Sequence, residues 1–228
     1  NGYKGDAPTL TNLQAEIKRQ PEPEAQELAL AAELFISGSL SIFAQKTNVD
    51  QNNRLTSYNI LDLGEQLLPM GMLVILESIY NRVIQNWRAG RRTWVFVDEF
   101  SIFFRYPFAT NFFLRMWKQV RKRAGYMTGI TQNVGEMLTS KDACWMLANS
   151  EFLIMLSQSA SDRAALAELL NISDTQLSYV ENADPGCGLM KFGGAFIPFV
   201  NSFPEDTELY KLMTTKPADR EQVKPHGV

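Results

Sequence analysis

Between residues 93 and 99 the chain reads Thr93-Trp94-Val95-Phe96-Val97-Asp98-Glu99, an apolar run that stops abruptly at two adjacent carboxylates. Branched and aromatic residues in unbroken succession suit a strand buried on both faces, which belongs in a parallel sheet covered by helices. The neighbouring sequence keeps that rhythm. Pro69 to Trp87 predicts an amphipathic helix, with Met72, Leu76, Ile79, Val83 and Trp87 at helical spacing. Ala109 to Arg123 predicts another helix, Tyr126 to Thr131 a strand, Val134 to Leu147 mostly helix, Phe152 to Leu156 a strand, and Ser161 to Leu170 a helix. A short strand is also expected at Tyr58 to Leu63. Strands alternating with helices imply right-handed crossovers and one mostly parallel sheet, an α/β fold.

The remainder is punctuated clearly. Thr11-Asn12-Leu13-Gln14 fits a capping box at the start of a first helix, which Pro21 and Pro23 interrupt. Glu24 to Phe35 is helical by composition, with Gly38 as its stop. Ser173-Asp174-Thr175-Gln176 caps a last short helix. Leu189 to Phe192 and Ala195 to Val200 flank Gly193-Gly194, a hairpin signal. From about Lys216 the chain is polar.

Phosphoryl-transfer sites on parallel sheets lie at the carboxyl ends of strands. Three expected strand ends carry polar groups: Asp98-Glu99, Thr131-Gln132 and Ser157-Gln158. An acidic pair in this position matches how phosphate-loop nucleotidases present a magnesium-holding Asp and a water-orienting acid. Asp98 would hold Mg2+ through its water shell, since magnesium keeps several waters and takes hard oxygen ligands. Glu99 would polarise the attacking water. Gln132, beside Thr131, could hydrogen-bond the terminal phosphate, because its amide both donates and accepts. Asp62 and Glu65 near another expected strand end read as a polar turn. Gly125 and Gly129 bracket the strand before Gln132 and suit turns or close packing.

No stretch matches the phosphate-cradling G-x-x-x-x-G-K-[ST] pattern. The segment Gly38 to Thr47 ends in Lys46-Thr47 but lacks the second glycine, and Gly186 to Gly194 is not followed by Lys-Ser or Lys-Thr. The phosphate loop is therefore expected upstream of residue 1.

A basic helix end lies between the two polar strand ends. Arg115, Lys118 and Lys122 share one face, with Arg121 and Arg123 beside them. Three readings stand: a solvated face that complements the helix C-terminus, an arginine finger reaching a neighbouring subunit's nucleotide, or phosphate contacts to nucleic acid. Arg163 is a second finger candidate, or else a partner in an ion pair at a helix start. Phe112, Phe113 and Trp117 are at core spacing.

Composition excludes several alternatives. The net charge of −3 argues against non-specific coating of nucleic acid. Two cysteines, Cys144 and Cys187, make neither a disulfide framework nor a zinc site. The single histidine, His226, sits in the polar tail, so no histidine-based triad is available. No contiguous apolar run approaches the ~20 residues that span a bilayer, and the amino terminus does not resemble a signal peptide.

Several segments together resemble one family. They are Trp94 to Glu99, then Trp117 to Arg123, then Thr128-Gly129-Ile130-Thr131-Gln132-Asn133, Leu147 to Phe152 and Leu212 to Pro217, with Tyr3 to Leu10 at the start. In this order they resemble the VirB-four-type ATPases of type IV secretion and conjugative transfer, particularly those of Gram-positive mobile elements. The resemblance implies a RecA-like P-loop NTPase core, related to the HerA and FtsK DNA pumps. It implies a helical insertion over residues 1–50 ahead of the ATPase core with its Walker B half over 51–215; the polar end, 216–228, is expected to be a flexible tail. It also implies ATP and Mg2+ as cofactors, with Asp98 as the magnesium acid and Glu99 as the catalytic acid. By the same resemblance Gln132 is the sensor in a Thr-Gln motif with Thr131, and Arg121-Lys122 belongs to an Arg-Lys motif, with Arg121, Arg123 or Arg163 as the finger. The implied setting is a homo-oligomer, a hexamer, working with other secretion-channel proteins on a DNA substrate, in the cytoplasm and attached peripherally to the membrane's inner face. Two alternatives remain open: a DNA-translocating pump or coupling protein, and a non-catalytic docking module for channel partners.

Overall fold

The computed structural model describes residues 7–38, 40–48, 53–132, 134–201 and 203–214. Asn133, His226 and the tail from Lys216 lie outside them, as does half of the Tyr3 to Leu10 segment. The chain divides into two compact units, residues 1–75 and 76–228.

The first unit is helical. Helix α1 (Leu10–Ile17) packs on α2 (Pro23–Ala32), followed by short 3-10 turns at Glu33–Phe35 and Ser41–Ala44. The α1 start lies two residues before the expected box: Thr9 N–H donates to Asn12 Oδ1 at 2.8 Å. Pro23 opens α2 instead of merely interrupting α1, because a first-turn residue needs no amide hydrogen. The two helices are joined through buried Gln14, whose Nε2 donates to the Ala29 carbonyl at 2.8 Å and to Glu33 Oε2 at 2.7 Å. The expected strand at Tyr58 to Leu63 does not form. A 3-10 turn occupies Leu61–Leu63, and Gly64 at φ 65° ends it. Asp62 and Glu65 therefore lie in that turn and in the first turn of a helix, not at a strand end.

Helix α3 (Gly64–Arg88) passes from one unit into the other and includes Pro69 within it. It is 25 residues long with a mean hydropathy of 1.4 over its most apolar 18-residue window, enough by length and composition to cross a membrane. Glu77 and Arg82 interrupt it, so its contiguous apolar residues stay short of the ~20 that span a bilayer while the helix as a whole is apolar. Gly90, at φ 69°, follows its end. Asn86 Nδ2 then donates to Thr93 Oγ1 at 3.0 Å and fixes the start of the next strand.

In the second unit, β1 (Thr93–Val97) pairs in parallel with β2 (Gly125–Gly129), Thr93 opposite Gly125 and Val97 opposite Gly129. Between them run a 3-10 segment (Phe100–Arg105), α4 (Pro107–Gln119) and a second 3-10 turn (Val120–Arg123). Helices α5 (Val134–Leu138) and α6 (Lys141–Ala148) follow. They replace one expected helix because Ser140 caps α6, accepting from Ala143 N–H at 3.3 Å. Strand β3 (Phe152–Met155), α7 (Ala160–Leu170), α8 (Asp174–Leu177), β4 (Cys187–Phe192), β5 (Ala195–Val200) and α9 (Glu208–Met213) complete the described chain. The Ser173–Gln176 capping box and the Gly193-Gly194 hairpin are where the sequence puts them. Helix α9 is an addition, so α8 is not the last.

The sheet departs from the expectation of one mostly parallel layer. Among the described residues parallel pairing is confined to β1 and β2, whereas β3, β4 and β5 form a separate antiparallel sheet. A tight hairpin joins β4 to β5 at little loop-closure cost, and β4 lies antiparallel to β3 after the α7–α8 connection. Nor is the β1–β2 pair covered on both faces. Gly125 and Gly129 turn one face toward Val120 and Phe100. On the other, Trp94 stacks on Tyr126 with ring centroids 5.0 Å apart, and Phe96 is 67% exposed. A further core, built from Met155, Leu166, Leu170, Ile172, Val180 and Leu189, fills the space behind the antiparallel sheet.

Candidate active site

The acidic pair lies where β1 runs out. Ile130 N–H donates to the Val97 carbonyl and Phe100 N–H to the Ile130 carbonyl, each at 2.8 Å. These bonds extend the parallel pairing past both strand ends, so Asp98-Glu99 and Thr131-Gln132 leave the same carboxyl edge. Asp98, Glu99 and Gln132 are exposed there, and Thr131 is half-buried. Asp98 Oδ1 accepts from the Glu99 N–H at 3.0 Å, which sets one carboxylate oxygen against the turn.

Glu99 itself adopts the left-handed conformation, φ 47° and ψ 47°. A side chain larger than glycine is disfavoured there by about 1–2 kcal/mol. The turn is imposed from both sides. Val97 is held by the strand pairing. Phe100 is nearly fully buried in an aromatic nest, edge-on to Phe113 at 4.9 Å and stacked on Trp117 at 5.5 Å. The Phe100 ring also lies directly on Gly129, where a β-carbon would collide with it. Gly129 thus serves close packing, as its position suggests, and this packing aims the adjacent carboxylate.

The 3-10 segment after Glu99 is held at its far end by a bond from Arg105 Nε to Glu136 Oε1 at 2.8 Å. Arg105, first as a hydrogen-bond donor, holds the Glu136 carboxyl below its ordinary range, and Ser101 adds to this. The guanidinium in turn is raised by Glu136. Phe100, Gly129 and this pair complete the surroundings of the site. Only the glycine gave a local signal, because Arg105 and Glu136 are separated by 31 positions.

The basic residues lie elsewhere. Arg121, Lys122 and Arg123 form the turn that enters β2, at the amino end of the strand pair. The five-residue strand puts about 13 Å, at ~3.3 Å per residue, between them and the carboxylate edge. Arg123 sits over the Tyr80 ring at 5.7 Å, Arg115 over the same ring at 5.3 Å, and Lys118 over Trp145 at 4.6 Å. Arg121 and Lys122 are exposed. Arg163, largely buried, donates to Glu181 Oε1 at 2.8 Å and to the Gln158 carbonyl at 3.2 Å. That geometry matches the ion-pair reading at a helix start. Ser157-Gln158 follows β3 and so belongs to the antiparallel sheet, not to the edge bearing Asp98.

The donors fit magnesium better than a metal held wholly by protein. Among the described residues no group of three His, Cys, Asp or Glu side chains could enclose an ion. One or two carboxylates at an open edge suit an ion that keeps its waters and completes its shell with phosphate oxygens. Cys144 and Cys187 are both free thiols.

A parallel strand pair ending in acids, with its crossover packed on one face, gives a mixed α/β fold with a candidate site at the strand ends. That fold has a solved counterpart. VirB4 of Thermoanaerobacter pseudethanolicus superposes with a TM-score of 0.72 at 24% identity, over 87% of this chain and 56% of that one. The chain thus shares its fold with part of that VirB4 and spans little more than half its length, in agreement with the resemblance carried by the sequence. No protein-family model matches the chain. No curated protein matches it either.

Proposed function

We propose that this chain supplies the acidic half of an ATP-hydrolysing motor of the kind that powers type IV secretion and conjugative transfer. The observation that carries the proposal is the common edge, where the Val97–Ile130–Phe100 bonds bring Asp98, Glu99 and Gln132 out together. Asp98 would hold Mg2+ through water, Glu99 would take the proton of the attacking water, and Gln132 would hydrogen-bond the terminal phosphate. Magnesium held there would supply charge neutralisation for the phosphate oxygens. The fold shared with part of a VirB4 supports the assignment to this kind of motor.

The phosphate-cradling loop comes from another segment, since its pattern is absent from the 228 residues. The isolated chain accordingly hydrolyses no ATP. Arg121 and Arg123, at the opposite edge from Asp98, serve a neighbouring subunit's nucleotide in a ring such as a hexamer, with Lys122 beside them. Arg163 supports the fold. The motor works beside other secretion-channel proteins at the cytoplasmic face of the membrane, with DNA as the transported substrate.

The test is Glu99→Gln in the complete ATPase that contains this chain. Loss of the proton acceptor lowers turnover by about 10²–10⁴-fold, while nucleotide affinity stays within about twofold. Near-normal turnover removes Glu99 from the chemistry.

A further inference from the structure

We infer that Glu136 is a positioning residue that clamps the segment carrying Glu99 to the segment carrying Gln132. The inference rests on the motor reading for its purpose and on geometry alone for its existence.

The Glu136 carboxylate reaches the far end of the 3-10 segment Phe100–Arg105, where it accepts from Arg105 Nε at 2.8 Å. This segment begins at the residue after Glu99, so its placement fixes the direction in which the left-handed turn presents that carboxylate. Glu136 stands in the first turn of α5, four positions beyond Gln132. One side chain therefore ties the continuation of β1 to the continuation of β2, beyond the last backbone bond between them.

Neither the strand pairing nor the aromatic nest can do this. Backbone bonds hold Val97, Phe100 and Ile130, and Phe100 anchors the start of the 3-10 segment. Phe103, buried edge-on against Phe113 at 5.0 Å, holds the middle of the segment, and Glu136 adds the tie from its end to α5. A displaced carboxylate near the reacting phosphate lowers rate much more than affinity, since misplacement by about 1 Å can cost ~10²-fold. A rearrangement at Gln132 would also pass through α5 and Glu136 to the Glu99 turn.

Hydrogen–deuterium exchange on this chain tests the clamp without any nucleotide. Arg105→Glu and Glu136→Arg should each raise exchange about tenfold over residues 100–106 and 134–139. Residues 93–97 and 125–129 should exchange as in the parent, and the charge-swapped double variant should restore protection. Unchanged exchange in both single variants overturns the clamp, as does a double variant no better than either single one. Should a single variant raise exchange across the whole chain, Glu136→Gln, which keeps shape and loses charge, decides by the same pattern. In the complete ATPase the single variants should lower kcat about tenfold or more with KM within twofold, and the double variant should recover. Exchange that follows the clamp while the parent shows no hydrolysis sinks the motor reading and leaves the clamp standing. Exchange that follows it while kcat is unchanged overturns the positioning role.

Discussion

Replacing Glu99 by glycine should make this protein more stable. Its φ of 47° and ψ of 47° cost an L-residue about 1–2 kcal/mol, and glycine removes that penalty. Glycine also gives the unfolded chain more freedom, which offsets about 0.4–1 kcal/mol. The net expectation is a gain of about 0.5–1 kcal/mol. For a chain of this size that raises Tm by about 2 °C. Thermal and urea unfolding of the parent, Glu99→Gly and Glu99→Gln measure it, with Gln retaining the strain and leaving stability unchanged. Ala124, at φ 51° and at the other end of the strand pair, is an internal control. Ala124→Gly should gain a similar amount. In the complete ATPase the two glycine variants should separate, Glu99→Gly losing hydrolysis and Ala124→Gly keeping it. A Glu99→Gly protein that is no more stable than the parent while Ala124→Gly gains would refute the idea that the turn at Glu99 is held against its preference.

Phe100→Ala removes a nearly fully buried ring from a nest of four aromatic neighbours and should cost about 3–5 kcal/mol in urea unfolding. Gly129→Ala drives a β-carbon into that same ring and should cost about 1–3 kcal/mol, measured the same way. In the first unit, Gln14, Ser37 and Lys18 hold the Glu33 carboxyl at about 2, below its ordinary 4.5. A lowered folded pKa stabilises above the unfolded value, so this support is complete above about pH 4.5 and disappears as pH falls toward 2. Acid titration followed by far-ultraviolet circular dichroism should show α1–α2 loosening in that window, and Glu33→Gln should remove that pH dependence.

The parts of this fold that were legible in the sequence are those written locally. The run from Thr93 to Val97 forms its strand, Gly193-Gly194 turns its hairpin, and Ser173 with Gln176 caps its helix. Local signals failed where a partner distant in sequence decides. Tyr58 to Leu63 has strand-like side chains but pairs with no described strand, and Gly64 ends the segment in a turn. Phe152 to Met155 reads as one more parallel strand, yet the nearby hairpin supplies its neighbour antiparallel. Unbroken hydrophobicity from Trp94 to Val97 suggests burial on both faces, whereas alternation leaves Trp94 and Phe96 exposed.

The site shows the same division. The placement of Asp98, Glu99 and Gln132 along one edge was legible because they follow recognisable strands, and parallel pairing brings their segments together. The left-handed turn was not, since Glu99 has no local reason to adopt it. It follows from Phe100 being fixed between Gly129 and the aromatic nest. The separation of Arg121 and Arg123 from the acids follows equally from strand direction, because the turn entering a parallel strand is always at the edge opposite its exit.

The most direct measurement locates the metal. Crystals of the complete ATPase with a non-hydrolysable ATP analogue and Mn2+ in place of magnesium would reveal the ion by its anomalous scattering. It should lie about 4 Å from the Asp98 carboxylate, one water away, with Gln132 at the terminal phosphate and this chain's Arg121 and Arg123 remote from both. An ion and nucleotide bound away from the edge shared by Asp98 and Gln132 would contradict the account.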